Sequence, residues 1–395
     1  MNEIGDIVEK NILFLQGPIG CFFKRLDAQF RLKGANTFRI GLNAGDEFFS
    51  YKDNYTGYTG SKEAWKEFIE KYLVEYQIDK VFLFGDCRFY QGVLVQVSQQ
   101  LGIEIFVFEE GYVRPHYITF ERYGVNDYSH IIRHKSFYEF LGPMEISNVK
   151  DSKFSAIRLW SVVVVYYFIA NLFHFKYRHY IHHRNFSARQ EFFIGIKSLI
   201  RKVVYTVKDK KYLSLIKTTY SKQYFFVPLQ THNDFQILQH SNYGTIEHFI
   251  LEVLNSFANY ASDNFYLMFK HHPLDRGRKN YTRFIMQEAE RLQIEERIMV
   301  VHDLHLPTCL KNAKGTVSIN STVGLSSLYH GTPTITLGNA IYDIESLTNK
   351  DKSLNEFWNN PQIPDKILFT KFRNYLVKTT QLNGSFYGRM PDELR

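Results

Sequence analysis

Two adjacent carboxylates, Glu109 and Glu110, close an apolar run at residues 103–108 and are followed directly by Gly111. A strand end is an unfavourable place for paired acids unless they face a polar cleft, and neighbouring like charges push one pKa upward. A carboxylate raised in this way suits a general acid or base working near neutrality. The plainer alternative is a solvated turn with Gly111 at positive φ. Arg114-Pro115 follows closely, and a guanidinium held there could pair with those acids or with a substrate carboxylate. Further along, His272-Pro273 follows another apolar run, with Lys270 and His271 beside it. Proline restricts the residue before it to an extended backbone, and a basic cluster at a ligand edge suits a phosphate. Asn320-Ser321-Thr322 opens a helical run at 323–330, where hydroxyls and backbone N–H groups either attract an anion or act as an ordinary cap. Asp234 lies in Leu229-Gln230-Thr231-His232-Asn233-Asp234, where an Asn-Asp pair is by itself an ordinary turn former.

Regular elements must position these groups, and the hydrophobic rhythm supplies them. Short apolar runs at 12–15, 37–42, 81–84 and 103–108 read as buried strands, and 61–77 has helical spacing with Ser61 as its N-cap. The rhythm recurs after residue 222, with strands at 224–228, 265–269, 298–301, 316–319 and 334–337 and helices at 245–261 and 281–293. A chain of 395 residues is too long for one ordinary core, and this βαβα order predicts two Rossmann-like parallel-sheet domains. We expect them at 1–150 and 223–395, the second ending in a C-terminal helix, with a helical basic insert at 151–222 between them. Ligands bind beyond the carboxyl ends of such strands. The candidate residues all follow strands, as do 16–20 and 85–88, so the expected fold is α/β and GT-B-like, with the loops of two domains turned toward a cleft.

Charge singles out the insert. The chain carries a formal +8, yet residues 151–222 hold 14 Lys/Arg against three acids, so the rest is slightly acidic. Within the insert, 159–175 is a mostly apolar stretch of 17 residues flanked by Arg158, Lys176 and Arg178. Roughly 20 apolar residues are needed to span a bilayer, so it predicts either a buried core helix followed by a solvated basic helix or an interfacial anchor on anionic lipid. No nucleic-acid motif accompanies the charge, and nucleic acid is not an expected partner. Three scattered cysteines support neither a disulfide scaffold nor a zinc site and fit a reducing cytoplasm, and an acidic N-terminus does not read as a signal peptide. There is no P-loop, no G-x-S-x-G elbow, no HExxH and no Asp-x-Asp metal pair. The histidine spacings at 179–183 and 302–305 lack carboxylate or cysteine partners, so no metal and no cofactor is expected.

In order along the chain, seven segments resemble the capsule polysaccharide synthesis family, most closely its KpsS/LipB-type β-Kdo transferases. They are FLQGPIGCFFKRL (14–26), FGDCRFYQ (84–91), FEEGYVRPHYITFE (108–121), YRHYIHHR (177–184), VPLQTHNDFQI (227–237), KHHP (270–273) and SINSTVGLSSLYHGTPTITLG (318–338). The resemblance implies a GT-B fold, a CMP-Kdo donor and a lysophosphatidylglycerol-type lipid acceptor. It implies that His272, Ser321 and Thr322 contact the CMP phosphate; Gln230, Lys270, Pro273 and Arg114 are further candidates for the donor site. By the same resemblance Asp234 is the nucleophile of a retaining double displacement, and Glu109 or Glu110 is the base on the acceptor. A departing phosphate needs stabilisation more than protonation, and His272 plus a helix N-terminus could supply it without a metal. A lipid acceptor would give Lys176, Arg178, His182, His183 and Arg184 a membrane- or acceptor-facing role. The expected location is the cytoplasmic face of the inner membrane, where other capsule assembly proteins are further candidate partners. Two rivals stay open: an inverting, sialyltransferase-like enzyme in which Asp234 merely caps a helix, and a non-enzymatic component of capsule export or assembly.

Overall fold

Strands covered on both faces read as continuous apolar runs, and the first sheet shows why. In the computed structural model, which describes residues 4–146, 148–180, 188–232 and 243–395, the chain forms two compact units. The first comprises residues 1–130, 145–188 and 374–395 and is built on β1 (Asn11–Leu15), β2 (Asn36–Gly41), β3 (Tyr55–Gly57), β4 (Lys80–Phe84), β5 (Glu104–Glu110) and β6 (Tyr117–Arg122). Their order is β6-β5-β4-β1-β2-β3, parallel except for β6, and the late strand Gln381–Asn383 pairs antiparallel outside β6. Alternation splits the side chains cleanly between two cores. Ile105 and Val107 join Leu13, Leu15, Val81 and Leu83 on one face, against Leu94 and Val97 of the helix Phe89–Gln100. Phe106 and Phe108 face the other way, where Phe14, Phe82, Phe106 and Phe120 place one ring per strand at centroid spacings of 5.4, 4.8 and 5.6 Å.

Strands β3 and β6 are additions to the sequence reading. The run Tyr117–Arg122 ends in two charges, and Glu121 is buried. It is tolerated because Tyr112 Oη donates to Glu121 Oε1 at 2.7 Å and Ser129 donates to the other oxygen, partners that only the tertiary fold brings near. The helix expected at 61–77 is Trp65–Glu75, with Ala64 rather than Ser61 at its cap, although Ser61 Oγ still accepts the Ala64 N–H at 3.4 Å.

The second unit comprises residues 131–144 and 189–373 and carries a fully parallel sheet. Its strands are β7 (Tyr224–Pro228), β8 (Tyr266–Lys270), β9 (Ile298–Val301), β10 (Gly315–Ser318) and β11 (Thr334–Thr336), in the order β11-β10-β7-β8-β9. The helix Ile246–Tyr260 starts at Thr245, whose side chain accepts the His248 N–H at 3.3 Å, and buries Phe249, Val253 and Phe257. Residues 374–395 return to the first unit, so the closing part of the chain is shared between the two.

The segment 151–222 is likewise divided. The helix Ala156–Leu172 packs in the first unit, whereas nearly all of the helix Ala188–Lys217 belongs to the second. A buried polar network docks the first of these helices. Tyr166 Oη donates to Asp46 Oδ1 at 2.7 Å and accepts from Asn43 Nδ2 at 2.8 Å, while Asp46 Oδ2 accepts from Leu42 N, Gln16 Nε2 and Asn43 Nδ2. Gly45 leaves the space that the Tyr166 ring occupies. Burial raises the pKa of Asp46, and hydrogen bonds from Leu42, Tyr166 and Gln16, with Arg39 nearby, oppose that shift. Tyr166→Phe would leave Asp46 and Asn43 each short of a partner, at about 1–3 kcal/mol. The expected outcome is a melting temperature lower by several degrees, at roughly 2–4 °C per kcal/mol for a unit of this size, with faster proteolysis within Ala156–Leu172.

Candidate active site

At the carboxyl ends of β4 and β5 the two acids part company. Strand alternation continues the face of Ile105 and Val107 to Glu109 and the face of Phe106 and Phe108 to Glu110. Glu109 lies beside Gly85, whose φ of +70° turns the chain and is the reason for glycine there. Desolvation pushes Glu109 up to about 7, and the Glu110 N–H at 2.9 Å together with Arg88 restrains the rise, against Glu110 and Asp86. Loss of surrounding water also lifts Glu110, with Arg114 pulling the other way. Arg114 itself is exposed, and its Nε donates to the Gly111 carbonyl at 3.1 Å.

Gly111 is required for a different reason than the sequence suggested. Its φ is not in the left-handed region; a side chain there would strike the Tyr117 carbonyl, where β6 turns back. Thr119 Oγ1 donates to the Glu110 carbonyl and accepts from Tyr112 N and Gln381 Nε2, so the turn after the acids is held by three separate segments. Asp86 serves this scaffold as well, accepting from Val125 N at 2.8 Å and from Cys87 Sγ at 2.9 Å.

In the second unit the polar loops gather around β7, which is paired on both edges by β8 and β10. That is the switch point of the sheet, where loops on either side diverge and leave a crevice. Gln230 bridges toward β10, donating from Nε2 to Asn320 Oδ1 at 3.1 Å. His232 bridges toward β8, through Asp275 in the loop that begins with His272-Pro273. His272 is extended (φ −71°, ψ 135°), as the following proline requires, and its Nδ1 accepts the Leu274 N–H at 3.2 Å. In the neutral ring the hydrogen is therefore on Nε2, which is set up to donate. Ser321 caps the helix Thr322–Tyr329 through Val323 N, and Tyr342 Oη donates to the Ser321 carbonyl in the space that Gly324 leaves. Pro273 is exposed beside His272.

Two members of the predicted basic cluster lie inside the fold instead. Lys270 is buried, its Nζ 3.5 Å from the His302 carbonyl, and burial lowers its pKa. His271 is 3% exposed, accepts the Tyr281 N–H at 2.8 Å and stacks on His302 at 4.2 Å, which stacks in turn on Tyr205 at 3.8 Å. Asp209 of the helix Ala188–Lys217 accepts the His302 and Asp303 N–H groups at 2.6 and 2.8 Å, so this layer docks that helix.

Lys176 is tied to Glu47 at 2.7 Å, while Arg178 is exposed beside His179. Asp234, His182, His183 and Arg184 lie outside the described residues. Among the described residues no group of three or more His, Cys, Asp or Glu is placed to hold a metal ion, and no helix is long and apolar enough to cross a membrane. The residues that sequence reasoning passed over are His232 and Asp275. The spacing of Asp275 three places after His272 was their one visible signal.

Burial, with neighbouring His302, holds His271 down at about 3, and burial with nearby Arg201 and Lys270 holds His302 at about 4. Unfolded, both rings take up a proton near pH 6.5, so between about 4 and 6.5 the unfolded chain binds more protons and stability falls as pH is lowered. Histidine ring resonances of both residues should stay flat in NMR titrations from pH 8 to 5. His302→Gln should lose less stability than the parent between pH 7 and 5; an equal loss would place the pH sensitivity elsewhere.

Comparison with known proteins then adds three findings. A family model described as capsule polysaccharide biosynthesis protein matches residues 79–387. The chain is 36% identical to the capsule polysaccharide export protein KpsS of Escherichia coli, over 96% of this chain and 97% of that one, and 34% identical to the capsule polysaccharide modification protein LipB of Neisseria meningitidis, over 98% and 95%. Among solved structures it is similar to the β-Kdo 2,7-transferase of KpsC from Thermosulfurimonas dismutans, at 14% identity and a TM-score of 0.43, over 97% of this chain and 96% of that one.

Proposed function

Because the chain belongs to the capsule polysaccharide biosynthesis family, we propose that it is a glycosyltransferase carrying Kdo from CMP-Kdo to a lysophosphatidylglycerol-type lipid, with retention at the sugar carbon. The observation that carries this reading is the gathering of Gln230, His232, His272 and Ser321 at the carboxyl ends of three parallel strands of the second unit; the first unit, taken by itself, has a raised carboxylate at the carboxyl end of β5. In the first step the Asp234 carboxylate bonds to the sugar carbon as the bond to the CMP phosphate breaks. His272 Nε2–H and the positive end of the helix Thr322–Tyr329 stabilise the departing phosphate. In the second step the acceptor oxygen replaces Asp234, and its proton passes to Glu109. We choose Glu109 over Glu110 because it sits in the crook of Gly85 and its pKa matches the task.

Mass spectrometry of the pure protein with CMP-Kdo and a lysophosphatidylglycerol tests the whole proposal. Product should gain one or more Kdo masses, and donor alone should leave one Kdo on the peptide containing Asp234. Absence of both product and CMP release would favour the non-enzymatic export or assembly role that the name of the E. coli relative suggests. An active Asp234→Ala variant would favour the inverting route.

Since Glu109 must be ionised to accept a proton, kcat/KM should rise with pH through about 7 and level off above it. Glu109→Gln should remove that limb and cost roughly 10²-fold or more in rate, within the range seen for general acid–base catalysis. Glu110→Gln should keep the limb; the reverse pattern would reassign the base.

The lipid acceptor gives the helix Ala156–Leu172 a purpose. With Tyr166 anchoring one side, Ile157, Trp160, Val164, Phe168 and Leu172 are exposed at three- and four-residue spacing, and Phe175 is 72% exposed just beyond. Arg158 and Arg178 flank this stripe, a combination suited to the interface of an anionic membrane. Trp160→Glu with Phe168→Glu should abolish most co-sedimentation with phosphatidylglycerol vesicles while CMP-Kdo hydrolysis without acceptor persists. Unchanged sedimentation would remove the stripe from the proposal.

A further inference from the structure

Asp275 is 2% exposed and spends both carboxylate oxygens on one residue of another loop. Its Oδ2 accepts the His232 backbone N–H at 2.9 Å, and its Oδ1 lies 2.6 Å from His232 Nδ1. A carboxylate partner fixes the hydrogen on Nδ1 and leaves Nε2 as the ring atom available to a ligand, on a side chain that is 30% exposed. Burying an acid is costly unless hydrogen bonds compensate, and here the compensation goes to orienting a solvent-facing imidazole. The pair also has a place in the chain. It ties the loop after β7 to the loop after β8, on the opposite side of β7 from the Gln230–Asn320 bridge, and Asp234 follows two residues after His232.

We propose that His232, held by Asp275, contacts the phosphate of the nucleotide donor through Nε2, and that Asp275 is the positioning residue for this contact. Two imidazoles then serve one phosphate from different loops. His272 donates from Nε2 in its neutral form because its Nδ1 accepts from Leu274, whereas His232 donates from Nε2 only as the imidazolium, whose charge Asp275 balances. The inference rests on the reading of this edge as a nucleotide-sugar site, but its test does not depend on which sugar is carried.

The two ring nitrogens can be separated by substitution. His232→Asn places an amide nitrogen near the position of Nδ1 and keeps the bond to Asp275, but offers nothing at Nε2; His232→Gln places its amide nearer Nε2. Calorimetric titration of the full chain with CMP should show His232→Asn binding about 10-fold or more weakly than the parent, the loss expected for a hydrogen bond to a charged group, with its melting temperature unchanged. His232→Gln should retain more affinity than His232→Asn. Asp275→Asn should also weaken CMP binding, and combining it with His232→Asn should add little, because both act through one contact. If Asp275→Asn fails to fold, the pair of His232 variants decides. Parental CMP affinity in His232→Asn, or full additivity in the double variant, would overturn the proposal and leave a structural clamp. Should the parent bind UDP and not CMP, the cytidine donor fails while the same variants titrated with UDP still judge the contact. A parent that binds neither nucleotide would overturn both.

Discussion

Strand β7 is the member on which the second unit depends. Its two edges are paired in parallel by β8 and β10, so the segment leaving its carboxyl end has neighbours on both sides and no strand beyond it. Residues 229–232 meet this constraint with alternate commitments: Leu229 N donates to the Lys270 carbonyl, Gln230 reaches Asn320, and His232 reaches Asp275. Three loops are thereby joined by contacts that each span 40 or more residues, one through the backbone and two through side chains, to an amide and a carboxylate. His272 and the opening turn of Thr322–Tyr329 stand at that same edge, and the positive end of a helix favours an anion.

A different constraint governs the first unit. Because side chains alternate along a strand, two consecutive acids on β5 cannot share one environment. Glu109 follows Val107 toward the loop Gly85–Arg88, and Glu110 follows Phe108 toward Arg114 and the C-terminal segment, where burial and Glu110 raise the pKa of Tyr387. Desolvation rather than the neighbouring charge is the larger cause of the Glu109 shift. A side chain at position 85 would need an unfavourable φ.

The insert shows how an apolar sequence can be divided between inside and outside. Tyr166, with Asn43 and Asp46, binds one face of Ala156–Leu172 through hydrogen bonds rather than grease, and so leaves the larger hydrophobics on the opposite face. Tyr177 and Lys176 repeat the arrangement on Glu47, which makes Lys176 a residue that holds the segment in place as well as a surface charge. A helix apolar all round would ordinarily belong in a core.

The sequence by itself determined the elements and their order. Runs of Val, Ile, Leu and Phe placed the main strands within one or two residues, since a strand buried on both faces has little choice of composition; the boundaries at 224–228 and 298–301 coincide with β7 and β9. It also placed the acid pair, His272-Pro273 and Ser321 at carboxyl ends of strands, because turn chemistry and caps are local. Tertiary structure decided everything that needed a distant partner. Lys270 and His271 read as surface cations from their neighbours in sequence, yet β9 and Ala188–Lys217 close over them, and a buried imidazole stack sheds its protons. Gly111 owes its identity to the Tyr117 carbonyl, and β6 its buried Glu121 to Tyr112 and Ser129. The different surroundings of Glu109 and Glu110, and the pairing of His232 with Asp275, came from which face and which loop lay opposite. One-dimensional patterns carry the period of a strand but not the identity of what packs against each side of it.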